Sequence, residues 1–239
     1  MRMKMSNVNL VAISKPNIGS TGCSDINELI AYTARVSNPG NQNNNETAPR
    51  LLRYLIKHQH WSPFEMVHMT LEIKTTRDIS RQILRHRSFS FQEFSQRYAV
   101  SEDFGVREAR LQDPKNRQNS IEIEVPEATG GEGSTSTSEE RLYENWNMKQ
   151  REVINKAKEV YKWALDNGIA KEQARAVLPE GNTVTTLYMS GSLRSWIHYC
   201  QLRMDEGTQK EHRRVAQQCW EHVQAHFPDI AEALDEVDE

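Results

Sequence analysis

The sequence has few cysteines, no long apolar run and no excess of positive charge, and each shortage argues against a class of protein. Its 239 residues include three scattered cysteines and no C-x-x-C pair, so a disulfide framework is not expected and the thiols are predicted to be small and buried. No run of about 18 apolar residues exists, so no membrane-spanning helix is expected. The first residues also lack the apolar segment of a signal peptide. We therefore expect a cytoplasmic protein without a membrane partner.

The net charge is −3, whereas a general nucleic-acid-binding protein usually carries a strongly basic domain. Positive charge is nevertheless concentrated in residues 77–98, RDISRQILRHRSFSFQEFSQRY, where five arginines face two carboxylates, Asp78 and Glu93, for a local charge of +3. Such a cluster in a mildly acidic chain predicts a local site for a small anion. Two alternatives stay open, a solvated face of paired arginines and a surface that binds single-stranded RNA.

Hydrophobic periodicity predicts an α+β fold, a mainly antiparallel sheet flanked by helices. Residues 8–13 and 184–189 are strand-like, and residues 67–74 alternate apolar and polar side chains as a half-buried antiparallel strand does. The 37% hydrophobic content is sufficient for a core. No linker divides the chain, so we predict one domain over residues 1–239, with a flexible low-complexity loop at 126–140.

Helical periodicity appears between these strands. Beyond Thr76, Ile79 and Ile83 are predicted to pack while Arg77, Arg81 and Arg85 form a line on the opposite face. Further helices are predicted after a capping box of Asp25 and Glu28, around residues 51–56, along a long segment that ends at Gly168, and at 169–178, 191–204 and 209–227. The long helix is predicted to pack through Leu142, Trp146, Val153, Ala157, Val160, Tyr161 and Ala164.

Four short motifs, in this order over most of the chain, resemble those of one enzyme family. They are His60-Trp-Ser-Pro-Phe-Glu65, Arg85-His86-Arg87 followed after seven residues by Ser95, Ala174-Arg175-Ala-Val-Leu-Pro179, and Ser192-Leu-Arg194-Ser-Trp-Ile-His198 with Leu202-Arg203. A lone Arg-His-Arg would be a weak signal. The four motifs together are similar to those of the flavin-dependent thymidylate synthases.

The resemblance implies an enzyme that converts dUMP to dTMP. It implies methylenetetrahydrofolate as the one-carbon donor, NADPH as the reductant and FAD as the hydride carrier. It also implies a homotetramer whose active sites are shared between subunits. Two alternative functions stay open, a flavin-binding relative without synthase activity and a single-stranded RNA-binding protein.

The resemblance assigns one group of residues to FAD. Positive charge in this group would stabilise a reduced, anionic flavin. For Glu65 an equal interpretation is that it caps or orients a neighbour. The implied FAD contacts are His60, Ser62, Glu65, Arg85, His86, Arg87, Arg194 and His198.

The resemblance assigns a second group to dUMP. Ser95 and Arg97 suit the phosphate, whereas Glu93 would repel it and suits a sugar hydroxyl or an arginine. Arg203 matches the catalytic arginine beside the uracil, where its charge would polarise the ring carbonyls. For each arginine a surface ion pair is the alternative. The implied dUMP contacts are Gln82, Glu93, Ser95, Arg97, Arg175 and Arg203.

No metal site is predicted. His58 and His60 lack a third ligand at matching spacing, and Cys219, His222 and His226, which share a helical face, are better explained by packing and exposure.

The positions of Arg194 and Arg203 on one predicted helix are relevant to the oligomeric state. They are nine residues apart, which is about 180° around a regular helix, so one helix would point at two places. A site shared between subunits would accommodate both.

Overall fold

The computed structural model describes residues 6–123 and 137–238. Its main sheet has four antiparallel strands, in the spatial order β1 (Asn7–Ile13), β2 (His68–Thr76), β6 (Val184–Ser192) and β3 (Ser90–Glu93). A separate antiparallel hairpin is formed by β4 (Arg110–Gln112) and β5 (Ser120–Glu122).

Nine α-helices lie within the described residues and flank this sheet. They are α1 (Ile18–Thr21), α2 (Ile26–Ala34), α3 (Ala48–Lys57), α4 (Arg77–Ile83), α5 (Ser138–Asp166), α6 (Lys171–Ala174), α7 (Leu193–Met204), α8 (Lys210–His226) and α9 (Pro228–Asp238). Short 3-10 helices occupy Pro39–Asn41, Asn45–Thr47, Ser62–Met66 and Arg175–Val177. The predicted α+β fold is confirmed. None of the helices in the described part of the chain has the length and apolar character needed to cross a membrane.

The alternating pattern of β2 places the core on one side of the sheet. Met69, Leu71 and Ile73 are buried against the helices, as predicted. On the other side Glu72 accepts hydrogen bonds from Asn9 (3.2 Å) and from the hydroxyl of Tyr188 (2.9 Å). The sheet therefore presents an apolar face to α7 and α8 and a hydrogen-bonded polar face opposite.

Two predicted features of the helices need correction. Asp25 accepts the Glu28 N–H, but the Glu28 carboxylate accepts from the N–H and hydroxyl of Ser24, so only half of the predicted capping box forms. On α5, Ala157, Tyr161 and Ala164 are buried as predicted, but Leu142, Trp146 and Val153 are exposed and lie outside the buried stripe. That stripe consists of Gln150, Ile154, Ala157, Tyr161 and Ala164.

The predicted loop at 126–140 is only partly tested. Residues 126–136 lie outside the described residues. Ser138 to Glu140 form the first turn of α5, where Thr137 and Glu140 make a reciprocal capping box, so the loop prediction is wrong for these positions. At the other end, Gly168 has φ +78° and ends the helix as predicted, because only glycine adopts that conformation readily.

The three cysteines are free and buried, which confirms the prediction. Burial raises the pKa of both Cys200 and Cys219, so neither forms a thiolate at neutral pH. Neither of these two thiols is therefore activated as a nucleophile.

Candidate functional site

The Arg85-His86-Arg87 motif lies in a turn directly after α4. Phe89 anchors this turn, because its buried ring packs edge-on against Trp196 at 4.8 Å between centroids. Ser195 at the start of α7 donates a hydrogen bond of 3.4 Å to the Ser88 carbonyl. The turn is thus attached to α7.

His86 and Arg203 are in direct contact across this attachment. Arg203 Nε donates to His86 Nε2 at 2.9 Å. Burial and the neighbouring Arg203 charge lower the pKa of His86, so the ring is neutral at pH 7. Because Nε2 accepts, Nδ1 carries the proton and is available to a ligand. The structure thus joins a predicted FAD contact to the predicted catalytic arginine.

Glu65 holds the N-terminal end of α7. Its carboxylate accepts a hydrogen bond from Arg194 at 2.6 Å and another from the hydroxyl of Ser192. Burial alone would raise the pKa of Glu65, but the Arg194 and Ser192 hydrogen bonds and the Arg194 charge outweigh it and leave that pKa below its ordinary value. Glu65 orients Arg194, which agrees with the second interpretation given above.

His198 lies one helical turn beyond Arg194. Its ring packs edge-on against Trp61 at 4.9 Å, and burial, followed by the Arg194 charge, lowers its pKa. His60 and Ser62 flank Trp61 and are exposed, and the chain enters this segment through Gln59, whose φ is +56°. Trp61 and His198 form an aromatic wall beside the Glu65–Arg194 pair.

We expect Glu65→Gln to lower the melting temperature by about 2–4 °C at pH 7, corresponding to about 1 kcal/mol after allowing for partial exposure of the pair. The carboxylate has a lowered pKa, so its contribution to stability is complete above its ordinary pKa of 4.5 and is lost as the pH falls through the folded-state value. Thermal unfolding of both proteins between pH 7 and pH 4 measures this. Their melting temperatures should converge at the acid end.

Asp166→Asn is the matched control, because it removes the same charge from an exposed pair with Lys162 on α5. Surface pairs of this kind contribute little, so its melting temperature should stay close to wild type. A Glu65→Gln difference that does not depend on pH would contradict the role of the ionised carboxylate.

Glu93 binds arginines rather than facing an open pocket. Its carboxylate accepts from Ser80 at 2.8 Å and Thr185 at 3.1 Å, and it pairs with Arg81 and, at 3.8 Å, with Arg77. This agrees with the predicted role of holding an arginine.

The predicted line of arginines on α4 is confirmed for Arg77 and Arg81 but is wrong for Arg85. Arg77 and Arg81 also pair with Glu180, and the side chain of Arg77 is only 12% exposed. Arg85 lies beyond the end of the helix at Ile83. The paired-arginine alternative therefore describes Arg77 and Arg81, whereas Arg85 belongs to the turn that follows.

Arg97 and Arg175 converge on one residue of α6. Arg97 pairs with the Glu172 carboxylate at 3.4 Å, and Arg175 donates to the Glu172 carbonyl at 3.3 Å. Lys171 donates to the Tyr98 carbonyl, which fixes α6 against the segment that follows Ser95. Two predicted dUMP contacts that are far apart in sequence are thus both held by Glu172.

Gln82, the remaining predicted dUMP contact, is bound by residues that the motifs did not identify. Its Nε2 donates to Gln209 at 2.8 Å, and its Oε1 lies 3.3 Å from Nδ1 of the buried His212. The other ring nitrogen of His212 lies 3.1 Å from the hydroxyl of the buried Tyr199. The available signal was the polar composition of the start of α8, which is easily taken for a solvated surface.

The predicted residues therefore form three groups around α7, the Arg-His-Arg turn and α6. Within residues 6–123 and 137–238, the hydrogen bond between Arg203 and His86 joins α7 to the Arg-His-Arg turn, whereas no side-chain hydrogen bond or ion pair joins either of them to the group around α6. Arg85 and Arg87 are exposed, and their side chains have no ion-pair or hydrogen-bond partner in that same part of the chain. They are available to an anionic ligand.

A separate cavity of about 900 Å³ lies between α5, α8 and the segment around Phe104 and Arg107. None of the predicted site residues lines it. The predicted site residues therefore lie outside this cavity.

The two candidate metal sets do not assemble. Among the described residues no group of three or more His, Cys, Asp or Glu side chains is arranged to bind a metal ion. Cys219 is buried, and His222 Nε2 donates to the Val8 carbonyl at 3.2 Å.

Arg85 and Arg87, which have no partner among the described residues, and the Trp61–His198 pair supply the groups of a protein class that binds phosphorylated ligands with flat rings. Comparisons identify the family within it. A sequence model described as "Thymidylate synthase complementing protein" matches residues 21–229. The chain is 50% identical over 229 residues to the probable flavin-dependent thymidylate synthase of Paramecium bursaria Chlorella virus 1, a match that covers 95% of this chain and 98% of that protein.

Two further comparisons agree. The chain is 49% identical over 230 residues to the flavin-dependent thymidylate synthase of Synechocystis sp., covering 95% of this chain and 99% of that one. The crystal structure of a UMP/dUMP methylase, PolB from Streptomyces cacaoi bound with 5-Br dUMP, superposes with a TM-score of 0.76 at 27% identity and covers 97% of this chain and 95% of that one. The chain belongs to the family of flavin-dependent thymidylate synthases, and the recognition from its four motifs is confirmed.

Proposed function

We propose that this protein methylates dUMP to dTMP, using FAD as hydride carrier and NADPH and methylenetetrahydrofolate as co-substrates. The observation that carries this is the contact between Arg203 and His86, which brings two of the four motifs together. Membership of the family argues against the RNA-binding alternative. We also propose a cytoplasmic location.

The residues available for FAD fit its chemistry. Arg85 and Arg87 are exposed guanidiniums without a carboxylate partner in the described residues, and phosphates would supply the missing negative charge. Trp61 and His198 offer aromatic contact to a flat ring system. Bound there, FAD would supply the hydride for reduction of the one-carbon unit or the pyrimidine ring.

Arg203 is assigned to the activation of the pyrimidine. Its Nε is used by His86, while its two terminal nitrogens donate to no residue in the part of the chain that the structure describes. These N–H groups are free to bind the ring carbonyls, where positive charge would draw electron density away from the distal ring carbon. His86 fixes the guanidinium in position without competing for it as a charged partner.

Ser95 and Arg97 are assigned to the phosphate of dUMP, and Arg175 to another contact with dUMP. Glu172 holds both arginines at the edge of α6, so the charges are positioned before the substrate binds. Glu93 is assigned to the support of this region through Arg81.

We assign the assembly to a homotetramer with shared sites. The support is geometric, because α7 is a regular helix that presents Arg194 to Glu65 at one end and Arg203 to His86 at the other. A second subunit would complete each of the separate groups of residues. Light scattering that measured a fully active monomer would overturn this assignment.

The purified protein should be yellow and should oxidise NADPH only when dUMP is present, forming dTMP when methylenetetrahydrofolate is added. The absorption spectrum, the NADPH assay and product chromatography measure these three properties. A flavin band without dUMP-dependent turnover would favour a flavin-binding relative. A colourless protein with salt-sensitive affinity for RNA would favour the RNA-binding alternative.

A further inference from the structure

Gln82 belongs to a continuous chain of hydrogen bonds that ends at a buried carboxylate. The carboxylate is that of Glu211, which pairs with Arg110 at 2.5 Å and with Arg107 at 3.5 Å. From there the chain continues through Gln209 (3.0 Å), Gln82 (2.8 Å), His212 (3.3 Å) and Tyr199 (3.1 Å).

The direction of every hydrogen bond follows from Glu211. Burial alone would raise its pKa, but the charges of Arg107 and Arg110 lower it below its ordinary value, and an ionised carboxylate only accepts. Gln209 must therefore turn its amide nitrogen to Glu211 and its oxygen to Gln82. Gln82 in turn donates to Gln209 and presents its own oxygen to His212.

The same argument determines the hydrogen-bond directions at the buried end of this hydrogen-bond chain. His212 must carry its proton on Nδ1 to donate to Gln82, so its Nε2 accepts from the hydroxyl of Tyr199. Both side chains are almost completely buried, and burial lowers the pKa of His212 to about 3, which keeps the ring neutral. All donors point the same way, so each bond polarises the next.

We propose that His212 and Tyr199 are positioning residues that fix the amide of Gln82, so that one amide N–H remains directed to an acceptor oxygen of the pyrimidine nucleotide. The inference rests on the proposed function, because it takes Gln82 as a dUMP contact. Without the chain the amide would be free to rotate by 180°. The amide oxygen of Gln82 would then face an acceptor oxygen of the nucleotide, and neither could donate a hydrogen bond, which is unfavourable.

Tyr199→Phe tests this with the smallest change, because it removes only the hydroxyl that donates to Nε2 of His212. We expect the KM for dUMP to rise about ten-fold while the flavin spectrum and kcat stay close to wild type. KM does not depend on the concentration of active enzyme, so a purely structural defect would lower the apparent kcat and leave KM unchanged.

A pair of His212 variants keeps the test decisive if Tyr199→Phe does not fold. His212→Asn retains an amide N–H near the position of Nδ1 and should keep KM within about three-fold of wild type, whereas His212→Leu should raise KM about ten-fold. His222→Leu, on the same helix but bound to the Val8 carbonyl, is the matched control and should leave KM unchanged.

Gln82→Ala distinguishes the assignment of Gln82 to dUMP from the positioning role of His212 and Tyr199. If this variant raises the KM for dUMP and adding Tyr199→Phe causes no further rise, the two residues act as a unit and the inference is supported. If Gln82→Ala raises KM but the Tyr199 and His212 variants do not, only the positioning role is overturned. If Gln82→Ala itself leaves KM unchanged, the assignment of Gln82 to dUMP fails as well.

Discussion

Arg203→Ala should lower dUMP-dependent turnover at least 100-fold while the protein still binds FAD. Preorganised donors aimed at developing negative charge contribute a factor of about 10²–10³ each. Arg203 is held for this purpose by His86 at 2.9 Å, and its terminal nitrogens are not used by other described residues. Steady-state rates of NADPH oxidation and single-turnover formation of dTMP both measure the loss.

Two further variants make the result specific. Arg203→Lys keeps the charge but not the planar fork, so it should retain more activity than alanine and less than wild type. Arg53→Ala removes another partly buried arginine, which pairs with Glu232 and Glu236 and belongs to none of the four motifs, and should have little effect on turnover. Activity within three-fold of wild type in Arg203→Ala would contradict the catalytic assignment.

Much of the fold was predictable because its signals are local and repetitive. The alternation in β2 and the stripe of Leu193, Ile197 and Cys200 in α7 determine which side chains are buried, and all three α7 residues are buried in the structure. On α5 the same reasoning predicted the burial of Ala157, Tyr161 and Ala164 correctly but failed nearer the start of the helix, because the helix carries more than one set of apolar residues. Only tertiary packing selects between them.

Contacts between distant segments were not predictable from the same patterns. Arg77 and Arg81 looked like a solvated line, since their partner Glu180 lies about 100 residues away in sequence. His212 reads as one more polar residue on a surface helix. Its burial and its place beside Gln82 appear only when α4 and α8 are brought together. The motifs located the chemistry, but not the groups that position it.

Gly191 is packed against Phe89, the residue that anchors the Arg85–Arg87 turn. It lies in β6, where an added Cβ would come within 2.4 Å of Phe89 Cδ1 and 2.7 Å of Cε1. The ring cannot move away freely because it is packed between Trp196 and Tyr199, with centroids at 4.8 and 5.9 Å. A glycine inside a strand is the sequence signal for such a close approach, although it was not recognised here.

Gly191→Ala should therefore destabilise the protein by about 2 kcal/mol and weaken FAD binding ten-fold or more. Overpacking of a filled core costs about 1–3 kcal/mol, and a loss of about 2 kcal/mol lowers the melting temperature of a chain of this length by about 4–8 °C. The displaced Phe89 would carry the Arg85–Arg87 turn with it, so the flavin contacts would be lost together. Thermal unfolding and flavin titration of the apoprotein measure the two effects.

If the added methyl group at position 191 clashes with Phe89, a smaller side chain at position 89 should relieve the clash. Phe89→Leu leaves room for the new methyl group. The double variant Gly191→Ala/Phe89→Leu should therefore lose less unfolding free energy than the two single variants lose together. Gly40→Ala is the matched control, because no atom lies within 4 Å of the added Cβ and its backbone is not in the left-handed region. Strict additivity of Gly191→Ala and Phe89→Leu would show that the two positions do not compete for space.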